Sequence, residues 1–433
     1  MKPHLSVKLR EGAVVLRDVP HWTELIEDKS RAEGPFHGPL DSVLARHGTP
    51  VWVAHEYRPE ADAFSEEEVA SGLNRVYRLI LQVDGQFPPE LIRDITLLPT
   101  IEYVRPGAIG VADLPSPHLA AASSVPDNAS RDAIHLDEAR AYTRGDSSVK
   151  VAVLDTGVDL AHPELVDALL PGYDFVNIID GAERFLGDYL DADEVPDDEV
   201  GHGTHVAGIV AGRGLRMPAG VVPRCKVMPV RVLGALERDG RRYGAGLIDN
   251  ISSGMKWAVD QGADVLSMSL GVEPIGGELP HEEVVDYARR KGVSIVAASG
   301  NDGTDTHRYY PGALPYAIAV GAFDDQTGDV ATFSTYGDQV DFVAPGTNVY
   351  SSWLGRSYAY SSGTSQATPF VTGAAAMLHS IARARGARMT DSRVKYVLKN
   401  TADRVDRRFR SPKAGFGRLN LIDAARLLDH KLD

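Results

Sequence analysis

From about residue 131 onward, short apolar runs recur along the chain, separated by polar stretches with helical spacing. Residues 149–154, 226–233, 265–270, 293–298 and 317–322 are too short for buried helices and rich in β-branched side chains, which predicts strands. Residues 205–211, 248–261 and 282–291 predict helices between several of them. Strands that read as unbroken apolar runs are buried on both faces, so the alternation predicts an α/β fold with a parallel sheet covered by helices on both sides. In such a sheet, groups at strand ends and helix starts converge on one rim.

The first 110 residues follow a different pattern. Residues 75–83 predict a strand, Pro88-Pro89 opens a helix, and residues 101–105 predict another strand. A strand over 12–16 and a helix over 42–47 are predicted before them. Residues 111–130 then turn rich in Pro, Ala and Ser, the composition of a linker. The chain therefore divides into a small α+β domain at 1–110, a linker at 111–130 and a large α/β domain at 131–433.

Charge and composition narrow the classes. A net charge of −15 argues against a nucleic-acid binder. The C-terminal part is locally basic at Arg404, Arg407, Arg408, Arg410 and Lys413, read as a solvated surface. Cys225 is the single cysteine, so no intramolecular disulfide forms, and its apolar setting predicts a small buried hydrophobe. His281-Glu282-Glu283 begins like a zinc-protease motif, but Val285 stands where the second ligand belongs. No long apolar segment follows Met1, so neither a signal peptide nor a membrane span is predicted. That favours the cytoplasm, or a secreted protein if the sequence lacks its true N-terminus.

Three segments carry candidate chemistry. In Gly363-Thr364-Ser365-Gln366-Ala367-Thr368-Pro369 a serine sits among small residues where a loop turns into a helix, with Pro369 suited to the first turn. Free N–H groups and partial positive charge there suit an oxyanion, although such a turn is more often only a helix cap. Val151-Ala152-Val153-Leu154-Asp155-Thr156-Gly157 reads as a buried strand ending in a carboxylate, and Gly201-His202-Gly203-Thr204-His205 as a helix with a histidine at its mouth. A serine hydroxyl needs a base to become a nucleophile, and the base needs a group to fix its tautomer. The order Asp155, His202, Ser365, with flanking Asp159 and His162-Pro163-Glu164-Leu165, resembles that of the subtilisin-like serine proteases, the subtilases.

The resemblance covers about 131–428 and implies a serine endopeptidase acting on polypeptides, with Asp155, His202 and Ser365 as its triad. Val296-Ala297-Ala298-Ser299-Gly300-Asn301 resembles the family's oxyanion segment, which implies that Asn301 supplies a side-chain donor. Ser267-Met268-Ser269-Leu270-Gly271 resembles its cleft strand, implying substrate contacts at Ser269, Leu270 and Gly271. Tyr309 is placed near the floor of the primary specificity pocket, making that pocket shallow. Gln366 departs from the apolar residue many relatives carry after the nucleophile, a change expected in packing. His205 reads as a packing residue.

The N-terminal strand–helix–strand series resembles the subtilase prodomain, which implies an internal inhibitor, self-cleavage at or near the 104–130 region and a zymogen. An unrelated interaction domain is the alternative reading. Catalysis of this kind requires no cofactor. The acidic run Asp188, Asp191, Asp193, Glu194, Asp197, Asp198, Glu199 has three readings: a solvated loop, a preference for basic substrate residues, or calcium as a structural ion. The family's Asp-x-Asp spacing would nominate Asp191 and Asp193 for calcium. Beside the protease reading stand a latent protease switched on by a partner and an inactive protease fold serving as a binding scaffold.

Overall fold

Two strands near the N-terminus show how the first domain is built. Along β1 (His4–Leu9), Leu5, Val7 and Leu9 point into one core while His4, Ser6 and Lys8 face the other way. Along β3 (Val76–Leu81), Tyr77, Leu79 and Leu81 join that core while Val76 and Ile80 pack against the large domain. This is the period-two alternation of a sheet covered on both faces. The computed structural model describes residues 2–16, 19–26, 29–32, 38–112, 117–119, 128–178, 184–190, 192–238, 241–274 and 279–432.

β1 and β3, with β2 (Val51–His55) and β4 (Ile101–Pro106), form an antiparallel sheet in the order β2-β3-β1-β4. One face carries α1 (Pro39–His47) and α3 (Pro89–Thr96), and the short α2 (Glu66–Ala70) is held by a capping box between Ser65 and Glu68. α1 starts three residues before the predicted 42, because Pro39 takes its first turn. The strand predicted over 12–16 is not formed. Val14 is 87% exposed there, and Leu16 donates its N–H to the Tyr77 hydroxyl instead of a neighbouring strand.

The chain then crosses to the large domain. β5 (Ile109–Ala112) and β6 (His118–Leu119) lie within or beside the segment read as a linker, whose residues 113–116 and 120–127 lie outside the described residues. Two short helices, α4 (Ala129–Asp132) and α5 (Leu136–Ala139), lead to β7 (Lys150–Asp155). β8 (Tyr173–Asp174) and β9 (Phe185–Leu186) precede α6 (His202–Ala211) and β10 (Lys226–Arg231). A hairpin of β11 (Gly234–Arg238) and β12 (Arg241–Leu247) follows. Next come α7 (Ile248–Asp260), β13 (Val265–Met268), α8 (Glu282–Lys291), β14 (Ser294–Ala298), β15 (Ala317–Phe323) and β16 (Phe342–Pro345). The chain closes with β17 (Val349–Trp353), β18 (Ser357–Ser361), α9 (Thr364–Ala384), α10 (Asp391–Thr401) and α11 (Leu421–Leu432).

The expected parallel sheet is present, with seven strands in the order β16-β15-β14-β13-β7-β10-β8, every pairing parallel. β7 shows its two-sided burial: Val151 and Val153 join the core with α6 and α9, while Ala152 and Leu154 join the core with α7 and α8. The second core also takes in Trp22, Tyr57 and Ile80 of the N-terminal domain, so the two domains share buried apolar surface. The domain contact is also heavily charged. Arg78 grips Glu56 through two bonds of 2.5 and 2.6 Å, and its third nitrogen reaches Asn250 on α7. Asp249 accepts from His4 and Arg105, Lys256 pairs with Glu68, and Tyr103 donates to Glu283.

Candidate active site

Asp155 ends β7 and His202 opens α6, so the sheet rim brings together residues 47 apart in sequence. His202 Nδ1 donates to Asp155 Oδ1 at 2.7 Å, and that oxygen also accepts the Thr156 N–H. The carboxylate therefore fixes the tautomer and leaves His202 Nε2 as an acceptor. Nε2 is buried and has no protein partner among the described residues.

The mouth of α6 is built by Asp198, which sequence reasoning counted only as part of an acidic run. It is buried and accepts from Thr156 Oγ1, from the N–H groups of Val200, Gly201 and Thr204, and from Thr204 Oγ1. These bonds tie the end of β7 to the first turn of α6, which sets the His202 ring. Burial raises the Asp198 carboxyl above its ordinary range, and the donors oppose that rise. A carboxylate four residues before a histidine at a helix start was the available signal.

Other acidic neighbours also have internal partners. Glu199 accepts from Arg231 and from the Asp188 N–H. Asp197 Oδ1 accepts from Leu160, and Asp193 Oδ1 from Val195. Asp191 lies outside the described residues. Among the described residues, no cluster of three or more His, Cys, Asp or Glu side chains is placed to hold a metal ion.

Ser365 sits in the first turn of α9, four residues before Pro369. Pro369 is the sixth residue of this helix, deeper than the predicted first turn, because the helix already starts at Thr364. A proline has no N–H, so the Ser365 carbonyl lacks its normal helical donor. Ser269 Oγ fills the gap, donating to Ser365 O at 2.8 Å. In return, Ser365 Oγ donates to Ser269 O at 3.0 Å, so the hydroxyl is not engaged with His202. The helix start leaves the Ser365 N–H without an intrahelical acceptor.

Asn301 follows β14, and its Oδ1 accepts from Thr364 N at 2.9 Å and Thr364 Oγ1 at 3.0 Å. With the carbonyl so held, the planar amide directs its NH₂ away from Thr364. Tyr309 packs against Gly271 and Gly300. A Cβ on Gly300 would lie 2.4 Å from its ring, and one on Gly271 2.7 Å from its Cβ. The Tyr309 hydroxyl donates to Asp302 at 2.7 Å. Ser269 and Leu270 are both buried beside this wall.

β5 lies antiparallel on β12, with Ala112 opposite Gly244 and Gly110 opposite Gly246. The chain thus lays its own residues along a glycine-rich strand, a contact the sequence did not reveal. His205 lies apart from this chemistry: its Nε2 bonds the Val349 and Ala359 carbonyls, and burial brings it down to about 3. Cys225 is buried, and burial pushes its thiol up to about 11.

Comparison with known proteins agrees with this architecture. The family model described as the subtilase family matches residues 146–417. A thermophilic serine proteinase of Bacillus sp. (strain AK1) is 39% identical over 273 residues, which are 63% of this chain and 60% of that protein. Thermitase of Thermoactinomyces vulgaris is 38% identical over 261 residues, 60% of this chain and 82% of thermitase. Among solved structures, a protease of Pseudoalteromonas arctica PAMC 21717 superposes with a TM-score of 0.56 at 30% identity, covering 68% of this chain and 94% of that one. Among the described residues, no helix is long and apolar enough to cross a membrane. The chain belongs to the subtilase family of serine endopeptidases.

Proposed function

We propose that this chain cleaves polypeptides through Ser365, His202 and Asp155, with Asn301 stabilising the oxyanion. The observation that carries the proposal is the 2.7 Å bond from His202 Nδ1 to Asp155, with Nε2 unpartnered on the other side of the ring. Ser365 Oγ leaves the Ser269 carbonyl and gives its proton to His202 Nε2 as it attacks the scissile carbonyl carbon. The carbonyl oxygen becomes an oxyanion between the Ser365 N–H and the Asn301 amide. Asp155 stabilises the imidazolium, which then protonates the departing amine. Water hydrolyses the resulting acyl-enzyme with His202 as base. No cofactor takes part. A structural calcium at Asp191 and Asp193 is tested by melting with and without chelator, and an unmoved midpoint removes it.

Substrate binding follows from β12. A polypeptide would add to Gly244–Leu247 in the place that Ile109–Ala112 now holds, and Ser269, Leu270 and Gly271 would form the facing wall. The Tyr309 ring against Gly271 and Gly300 supports a shallow pocket that accepts small side chains. The N-terminal domain then acts as an internal inhibitor, and the chain cuts itself just beyond Ala112. The apolar surface shared between the domains, with buried ion pairs across it that would be costly to strand, favours a second step, in which the severed domain stays bound and the protease remains latent.

Intact mass of wild type beside Ser365→Ala tests this. Wild type is expected to lose a fragment ending shortly after Ala112, and the variant to stay whole. Native mass of the cut protein then reports whether the fragment has left. Two uncut proteins, together with no labelling of Ser365 by a fluorophosphonate, would overturn the catalytic reading.

A further inference from the structure

The segment between α10 and α11 borders residues 328–330 around an open groove of about 720 Å³. Four cations, Arg404, Arg408, Lys413 and Arg418, line it against two carboxylates, Asp329 and Asp406. Asp406 is turned into its own loop, where it accepts the Arg408 N–H at 2.7 Å. Cations nearby are paired, Arg308 with Asp338 and Lys395 with Asp341. Among the described residues, none of the four in the groove is ion-paired. Aromatic rings hold three of them instead. The Arg404 guanidinium lies 4.7 Å from the Phe409 ring centre, Lys413 Nζ 5.6 Å from that of Tyr336, and the Arg418 guanidinium 5.9 Å from that of Phe323. A ring restrains a long side chain while leaving N–H donors for an acceptor, so a ligand that takes those donors orders less on binding. Guanidinium forks match carboxylates two bonds at a time, which makes carboxylates the fitting ligand.

The groove lies one segment away from the wall formed by Tyr309. Residues 336–341 stand between them. On one side the Gly337 N–H donates to the Pro412 carbonyl at 2.8 Å, and Arg410 Nη2 to the Asp338 carbonyl at 2.6 Å. On the other, Gln339 Nε2 donates to the His307 carbonyl at 2.8 Å, and Arg308 pairs with Asp338 at 2.9 Å. The net charge of −15 repels a long polyanion such as a nucleic acid, while a short acidic segment meets mainly the local field of the groove. We propose that this groove docks an acidic segment of the polypeptide substrate, away from the scissile bond, with Arg404, Arg408, Lys413 and Arg418 receiving its carboxylates.

Docking of this kind rests on the protease reading, because a substrate already held in the cleft brings its acidic segment to the groove on a tether. Exposed ion pairs are individually weak. A tether converts their formation into an intramolecular step at high effective concentration, so that several weak pairs are enough to select a substrate.

Two measurements test it. Fluorescence anisotropy of a labelled peptide rich in Asp and Glu, titrated with the full-length Ser365→Ala chain, should show saturable binding that the matching Asn and Gln peptide lacks. Changing Arg404→Gln, Arg408→Gln and Lys413→Gln together should weaken it at least about tenfold. Changing Arg46→Gln, Arg93→Gln and Arg213→Gln together alters the net charge equally and should leave it within about twofold. The second measurement compares turnover of two substrates alike around the scissile bond, one of them extended by an acidic tail at either end. The tail should lower KM at least about fivefold with kcat unchanged, and in the groove variant the ratio of the two KM values should return to about one. Absence of saturable binding, an equal loss in the control variant, equal binding of a single-stranded oligonucleotide of the same charge, or a tail that leaves KM unmoved would each overturn the proposal. Turnover of neither substrate would overturn the protease reading instead, and the anisotropy would then decide by itself whether the groove takes acidic chains.

Discussion

Pro369 illustrates how one residue shapes the site from a distance of four positions. By removing an N–H it frees the Ser365 carbonyl, and Ser269 answers with a hydroxyl while its own carbonyl holds the serine hydroxyl. Asp155, His202, Ser365 and Asn301 could be nominated from the sequence because they stand beside glycine turns in segments that resemble those of the subtilases. Asp198 could not, since it stands among carboxylates of the same kind and only its five donors distinguish it. Two predictions belong to single residues. Asn301→Asp keeps the acceptor that anchors Thr364 but replaces the donor with a repelling oxygen. Turnover of a peptide substrate should fall at least about 100-fold, the scale found for one lost oxyanion donor in a subtilisin, with KM little changed. A loss confined to KM would argue for a binding role instead. Gln366 is the second case. Its side chain is wholly buried, and both amide atoms lack partners among the described residues. Gln366→Met keeps the shape and removes that penalty, so the Ser365→Ala chain should unfold at higher denaturant, by about 1–3 kcal/mol. Equal or lower stability would mean that the amide is satisfied by water.

At the scale of elements, the central strands were legible because burial on both faces leaves continuous apolar runs, and the structure places β7, β10, β13, β14 and β15 within three residues of the predicted limits. The hairpin β11–β12 was not, because Gly244, Ala245 and Gly246 carry neither alternation nor branched side chains. Its strand character comes from pairing, β12 lying between β11 and β5 and β11 reaching β9, and the contacts with β5 and β9 are tertiary facts. The predicted strand at 12–16 failed for the opposite reason, an apolar run with no strand to pair with. α8 offers a testable detail at its entrance. His281 takes the N-cap position with a left-handed φ of 69°, is buried, and bonds Ser252 Oγ through Nδ1 at 2.9 Å. Burial first, then Arg105, brings it down to about 3, against a weaker opposing pull from Asp249. A neutral histidine held this way contributes stability that is complete above pH 6.5 and is lost as pH falls through its folded value. His281→Asn retains a short polar side chain that tolerates positive φ and does not titrate. The variant should therefore gain on its parent by up to about 1.4 kcal/mol per pH unit below 6.5. Melts of both proteins at pH 7.5 and 5 would show it, and a constant difference between them would refute it.

The whole molecule is held together by an interface whose partners lie far apart in sequence, which is why the reading of segments did not foresee it. Apolar burial is continuous from Trp22 and Ile80 into the core beneath α7 and α8, yet charged groups are threaded through the same contact. Such pairs contribute little net stability when intact, because desolvation offsets their attraction, but breaking one strands its partner. Asp249 is the focus. It is buried, and although burial alone would raise its carboxyl, Arg105, the bond from His4, and Arg78 hold it well below the usual carboxylate range. Asp249→Asn keeps the shape and the acceptor oxygen but leaves the Arg105 guanidinium buried without its counter-charge. The cost should be about 3–5 kcal/mol, concentrated at the contact. The N-terminal domain keeps its own core of Leu5, Val7, Val53, Leu79, Leu91 and Ile95, which the change does not touch. The expected result is therefore separation at the interface and not collapse of either domain. Hydrogen exchange on the uncut Ser365→Ala chain can tell the two apart. Amides of α7 facing the domain should lose protection at least about 100-fold, while those of β13, β14 and β15 in the central sheet keep theirs. If α7 stays protected, the apolar contact alone holds the domains. If the central sheet loses protection equally, the charge network supports the fold as a whole. In the cut wild-type protein, the same substitution should release the N-terminal fragment and raise protease activity, which ties the buried charge to latency.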